Sequence, residues 1–226
     1  MNDERMKEKG LVPIDQGERP KDVASFCIEG EVMSEPEIRK FGDQKLWCFE
    51  FQSKRGSAVT NFTVTGEIEP KAEKGDFLEI QNAGFFEARG KNFLAVEDGT
   101  RVFQSEQRKD PRMDLSKCAV LGTIIDDPKM VKSGEKSYFS FPLETRRKGF
   151  PSEFNVLIES NHRIEFLRGD DVFLWNAGMF RAGNGNNYLV LMKQSSAFFS
   201  LAWQSDTKEV VFTNEAENFF LNNKQQ

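Results

Sequence analysis

The sequence predicts an all-β protein, with short helices at most, built from two tandem five-stranded barrels. Three observations carry this: one stretch occurs twice, its apolar residues come in short runs broken by turn residues, and its 226 residues suit two small domains better than one large one. Gly30, Pro36, Gly42, Phe49, Phe62 and Val64 match Gly122, Pro128, Gly134, Phe141, Phe154 and Val156, each at an offset of 92 (122 − 30). Gly75-Asp76 and Asn82-Ala83-Gly84 match Gly169-Asp170 and Asn176-Ala177-Gly178 at 94 (169 − 75), and Phe93 then falls opposite Tyr188. Matches that hold register across several strands mark a duplicated domain, and each copy is expected to hold its own core.

Residues 1–22 mix both charges with Gly10, Pro13, Gly17 and Pro20 and show no hydrophobic period, so they read as a flexible lead-in. The first domain spans 23–103, with strands near 24–33, 45–53, 58–66, 76–86 and 91–97. A polar stretch at 104–115, with Pro111, is the linker. The second domain spans 116–200, with strands near 117–125, 137–145, 153–159, 171–181 and 187–193. Between third and fourth strands, Glu67–Lys74 and Glu159–Arg168 are the only candidate short helices, the second capped by Ser160-Asn161. After the repeated stretch, Ala197–Trp203 and Glu209–Phe212 read as added strands and 214–221 as an amphipathic turn, with 201–226 forming a C-terminal extension. Trp203 is expected to cover a barrel end or a subunit contact.

Five strands with one helix between the third and fourth is the order of the OB-fold, a small closed Greek-key barrel. Trp47, Phe49 and Phe51 alternate with Cys48 and Glu50, and Phe139, Phe141 and Leu143 alternate with Ser140 and Pro142, as a barrel wall requires. A ferredoxin-like domain would need two substantial helices per unit.

Composition narrows the function. No apolar run reaches the ~18–20 residues that span a bilayer, and the charged start has no signal-peptide core, so a cytoplasmic protein is expected. Cys27, Cys48 and Cys118 lack zinc or disulfide spacing and read as buried free thiols, and His162 is the single histidine. No metal and no cofactor is expected. Asp126-Asp127 and Asp170-Asp171 come without a nucleophile, phosphate loop or metal spacing, so no catalysis is expected either. The net charge of −5 is unevenly spread: Lys+Arg against Asp+Glu is 10 against 14 in residues 26–103 and 11 against 9 in residues 116–200. The second copy is the better partner for a polyanion.

Val120-Leu121-Gly122-Thr123-Ile124-Ile125-Asp126-Asp127-Pro128-Lys129, then Gly134, then Tyr138-Phe139-Ser140-Phe141-Pro142-Leu143-Glu144-Thr145, resembles the opening of bacterial-type single-stranded DNA-binding proteins (SSBs). Lys74-Gly75-Asp76 and Arg168-Gly169-Asp170 ahead of the fourth strand fit as well, and both copies resemble the variants with two OB-folds in one chain. The resemblance implies sequence-tolerant coating and protection of single-stranded DNA in replication, recombination or repair. It also implies a homodimer that brings four OB-folds together. Family members place aromatics where the second strand enters its loop, at the start of the third strand and at the tip of the fourth; Ser57 and Val59 stand near these places in the first copy, and Phe150 in the second. The ending Asn222–Gln226 lacks the family's acidic tail, so recruitment of repair enzymes through it is not expected, and a phage, plasmid or specialised role is as compatible as a housekeeping one.

Binding a single strand calls for cations along the phosphates and flat side chains beneath the bases. Arg146, Arg147, Lys148 and Phe150, in the loop Arg146–Pro151, are the first candidates. The matching loop of the first copy offers Lys54 and Arg55 without an aromatic and is expected to bind more weakly. The hairpins between fourth and fifth strands offer Phe86, Arg89, Lys91 and Phe93, and Phe180, Arg181 and Tyr188. For Phe86 and Phe180, core packing and stacking are equally consistent with the pattern; Trp47 and Trp175 either line the groove or fill the barrel. RNA as the ligand, or a protein contact on the acidic first copy, are the alternatives.

Overall fold

The computed structural model describes residues 24–105, 116–147, 150–159, 166–191, 197–204 and 209–212, the last two stretches by their backbone. The lead-in at 1–22, nearly all of the expected linker, Ser160–Glu165 and the residues after 212 lie outside the described residues.

The first copy folds as β1 (Ala24–Val32), β2 (Glu37–Phe41), β3 (Gln44–Arg55), β4 (Ala58–Gly66), β5 (Phe77–Ala88), β6 (Lys91–Val96) and β7 (Arg101–Gln104). The second repeats the order as β8 (Ser116–Ile124), β9 (Lys129–Ser133), β10 (Lys136–Arg147), β11 (Phe150–Glu159), β12 (Asp171–Arg181), β13 (Asn187–Leu191) and β14 (Ala197–Gln204), followed by β15 (Glu209–Phe212). β1 pairs with β3 and β5, β3 with β4, and β5 with β6; the parallel pair β4–β6 closes the ring. β8, β10, β11, β13 and β12 close the second ring with the same pairings. The chain is therefore all-β, with two five-stranded OB barrels.

Several expectations are corrected. Glu67–Lys74 is not a helix: Lys74-Gly75 forms a turn that ties back to the end of β1, with the Gly75 N–H donating to the Val32 carbonyl at 2.8 Å. Gly169 donates to the Ile124 carbonyl at 2.8 Å in the same way. With φ near 96° and 88°, both glycines sit in the left-handed region that side chains avoid. No helix occurs among the described residues, and the second helix candidate falls mostly outside them. The short strands β2 and β9 and the edge strand β7 were not expected. β3, β4, β10 and β11 form long hairpins with only two residues at each tip, because cross-strand pairing runs on to Arg55↔Ala58 and Arg147↔Phe150. β14 runs through residue 200, where a domain boundary was expected.

The repeated Asn-Ala-Gly has a local cause at each position. Asn82 and Asn176 adopt φ of 58° and 57° at the bulges where β5 and β12 shift register against β1 and β8. Asparagine tolerates that conformation better than most residues. Ala83 and Ala177 are fully buried, and Gly84 and Gly178 leave notches that are filled from the other barrel. At Gly30 a methyl group would collide with the carbonyl oxygen of Gln52, and at Gly122 with that of Glu144, so these positions need glycine where β1 and β8 press against the neighbouring strand.

Alternation holds for Phe49, Phe51, Phe141 and Leu143, which are buried, but Trp47 and Phe139 are half-buried and Cys48, expected to face outward, is buried. The expectation of two separate cores also fails: the buried residues of both copies form one connected cluster. The reason is the seam. β1 pairs antiparallel with β8 about the central pair Phe26↔Cys118, which occupy matching positions in the repeat (118 − 26 = 92), so a pseudo-twofold axis passes between them. One antiparallel sheet then runs β15-β14-β12-β8-β1-β5-β7 across both barrels.

Candidate nucleic-acid interface

Each long hairpin is an arm that reaches across the seam to the other barrel. Arg147, at the tip of β10, lays its guanidinium over Gly84 of barrel 1 and pairs with Glu97. Arg55, at the tip of β3, lays its guanidinium over Gly178 of barrel 2. There burial pushes its pKa down. Hydroxyls brace both arms: the Glu87 N–H donates to Ser152 Oγ at 2.8 Å, and the Arg181 N–H donates to Thr60 Oγ1 at 2.9 Å.

The arms decide where the aromatic side chains gather. Phe93 and Phe86, on the β5–β6 hairpin, stack at 4.9 Å between centroids. Phe41, at the end of β2, meets Phe93 edge-on at 6.3 Å, and Phe150, at the start of β11, meets Phe86 at 5.9 Å. Four rings thus form a row that starts on barrel 1 and ends on the arm of barrel 2. Phe93 is buried, Phe86 half-buried, and the end members Phe41 and Phe150 are 38% and 50% exposed. On barrel 2, Phe180 and Tyr188 stack at 5.2 Å, but Ser133 and Ala58 stand where the end rings would be (133 − 41 and 150 − 58 are both 92).

Cations border the longer row. Arg89, in the tight turn of the β5–β6 hairpin, and Lys91, directly after it, are both exposed; Arg89 and Gly90 take φ of 51° and 69° to make that turn in two residues. Arg146 lies opposite Pro151, on the face of the arm turned away from Arg147 and Phe150, and projects into solvent with its Nε donating to Glu144 at 2.8 Å. Lys54, on the arm of barrel 1, lies 4.0 Å from Glu31 of β1.

The expected site residues thus separate into groups. Phe86, Phe93, Phe150, Arg89 and Lys91 come together on one surface, and Arg146 sits on the other face of the arm. Phe180 and Tyr188 form the shorter stack. Arg55, Arg147 and Arg181 hold the seam; Arg181 donates from Nη1 to Asn92 Oδ1 and from Nη2 to the Gly90 carbonyl, each at 3.1 Å. Trp175, 43% exposed, faces outward from the sheet and contacts Phe173, while Trp47 is half-buried on β3 beside β2. Lys148 lies outside the described residues, as do the side chains of β14, including Trp203. Phe41 was missed because β2 was missed; an aromatic placed directly before the Gly42-Asp43 turn was the available signal.

Among the described residues no group of His, Cys, Asp and Glu is placed to hold a metal ion. The three thiols are unpaired; Cys48 and Cys118 are buried, whereas Cys27 is half-buried, against expectation. Burial, joined by a hydrogen bond to Glu79, pushes Cys27 up to about 12, and burial pushes Cys118 up as well. Neither is a nucleophile near neutral pH.

No protein-family model matches the sequence, and no curated protein matches it. Among solved structures the chain is similar to the wild-type single-stranded DNA binding protein from Thermus aquaticus, with a TM-score of 0.52 at 11% identity, covering 77% of this chain and 92% of that one. A likeness at this identity reports on the fold, and it agrees with the OB barrels. Fission yeast Pot1 with ssDNA is also similar over 87% of this chain and 92% of that one, at 11% identity, but its TM-score of 0.28 is too low to inform the fold.

Proposed function

We propose that the protein binds single-stranded DNA without sequence preference, coating and protecting it during replication, recombination or repair, and that it does so by binding alone, without catalysis. The observation that carries this reading is the row Phe41–Phe93–Phe86–Phe150 with exposed Arg89 and Lys91 beside it. Each base stacked on an aromatic ring contributes about 1–3 kcal/mol whatever its identity, and cations beside the rings neutralise the phosphates between them. The Phe180–Tyr188 stack offers a second, weaker station for the same strand. The likeness to a single-stranded DNA binding protein from Thermus aquaticus supports this reading.

Under it, two chains associate so that four barrels act together. Exposed Trp175 beside Phe173 on the outer face of the sheet is the surface that favours such a contact. Sedimentation showing a monomer at micromolar concentration would remove that part of the reading.

The test is fluorescence anisotropy with labelled oligonucleotides of one length as single-stranded DNA, RNA and duplex. Tight binding to oligo-dT is expected at low salt, with affinity falling linearly against salt concentration on logarithmic axes as counterions are released. No binding to any single strand would sink the reading. Preference for RNA would move the ligand class and keep the site.

A further inference from the structure

The two seam faces descend from one repeated unit, yet they are no longer interchangeable. Beside the axis, Asn92 and Asn187 are buried and exchange side-chain amide hydrogen bonds, with Nδ2 of each donating to Oδ1 of the other at 3.0 and 2.9 Å. They match in the repeat (187 − 92 = 95, as for Phe93 and Tyr188). The groups beyond them match in position and differ in charge. Glu87 accepts a second bond from Asn187 Nδ2 at 3.1 Å, and Arg181, its counterpart (181 − 87 = 94), donates to Asn92 Oδ1 at 3.1 Å. The chain of contacts therefore ends in an anion on one side and a cation on the other. A seam of two first barrels would bring two glutamates to this cluster, and a seam of two second barrels would bring two arginines.

Side-chain size differs in the same sense. Phe26 and Phe85 stack at 4.6 Å and pack on Phe154 of barrel 2, with centroids 6.1 and 5.1 Å away. Their counterparts are Cys118 and Met179 (118 − 26 = 92; 179 − 85 = 94), both buried. On the axis the Phe26 ring is paired with the small Cys118. Two phenylalanines there would overfill the space, and two cysteines would leave a void. Charge and volume, which are independent of one another, break the symmetry toward the same pairing.

We infer that the seam is keyed: the face of the first barrel accepts the second barrel and rejects a copy of itself, and the reverse holds for the second. Like pairs of barrels from different chains do not join through this surface, so chains that associate as equals use another face. The inference rests on the seam alone and stands or falls separately from nucleic-acid binding.

The test exchanges the faces in the full-length chain. One variant carries Phe26→Cys, Phe85→Met and Glu87→Arg, the second carries Cys118→Phe, Met179→Phe and Arg181→Glu, and the third carries all six. Each half-exchange is expected to lower Tm by about 10 °C, whereas the full exchange recovers most of that loss because it restores one large and one small face with opposite charges. Should a half-exchange fail to fold, Glu87→Arg and Arg181→Glu are compared singly and together, with the double variant expected to melt above both singles. Additive losses in the combined variants, or half-exchanges as stable as the parent, would overturn the keyed seam.

Discussion

Barrel 1 and barrel 2 agree in the turns that shape them and part where side chains meet the seam or solvent. Gly75 and Gly169 close the same turn with the same hydrogen bond, and Thr60 and Ser152 brace the same arm position with the same kind of bond. By contrast, Phe41 and Phe150 have Ser133 and Ala58 as counterparts. A backbone position tolerates few residues because geometry excludes the rest, while an exposed position drifts unless something outside the chain needs it. On the proposed reading the longer aromatic row makes barrel 1, the more acidic copy, the main contact surface, whereas net charge points to barrel 2. The two arginines of the second copy's arm show what a count of charges leaves out: Arg147 holds the seam through Glu97, and Arg146 pairs with Glu144.

The sharpest way to probe the shared skeleton is Gly30→Ala beside Gly122→Ala. Both place a methyl group against a carbonyl oxygen that cannot move without its strand, so each is expected to cost about 3 kcal/mol or more in urea unfolding. A large cost at one site with a small one at the other would break the equivalence of the barrels. Next in size is the surface: Phe86→Leu with Phe150→Leu keeps apolar volume but removes two rings, and is expected to weaken oligo-dT binding ~30–100-fold, against about fivefold for Phe180→Leu with Tyr188→Leu. Equal losses would return the two barrels to parity as binding surfaces.

A smaller effect separates the adjacent arginines. Arg147→Ala opens the notch over Gly84 and removes the ion pair with Glu97, with an expected stability loss of about 1–2 kcal/mol. Arg146→Ala, on the outer face of the arm, is expected to leave unfolding unchanged and to lower the salt slope of binding by no more than about 1. The reverse assignment would show that the arm is held differently. Least in size are the thiols: at pH 8 neither Cys27 nor Cys118 is expected to react with iodoacetamide until urea unfolds the chain. The raised pKa of each makes the folded state hold its proton longer than the unfolded one. Their contribution to stability is thus complete below the ordinary thiol pKa and is lost as pH climbs from about 9 toward 12. Rapid native-state alkylation of Cys118 would mean that β1 and β8 part readily.

The architecture was legible because its determinants are local. Repeated Gly-Asp, Asn-Ala-Gly and Gly30/Gly122 mark turns, bulges and close approaches whose backbone geometry admits few residue types, so the same short motifs stand in both copies. Alternating phenylalanines reported the barrel wall for the same reason. The misplaced helix at 67–74 shows the limit of local reading, since helix-compatible residues there lose to a turn tied to the end of β1.

The sequence by itself determined that there are two copies, that each is an OB barrel, and which residue types a single strand could use. Only tertiary structure decided how those residues are divided between holding the seam and facing solvent. Arg146 and Arg147 are neighbours in sequence, but successive side chains of a strand point to opposite faces, and what each face meets is set by the barrel across the axis. Phe41, Phe93, Phe86 and Phe150 lie up to 109 residues apart (150 − 41) and become one surface only when the arm of one barrel crosses to the other.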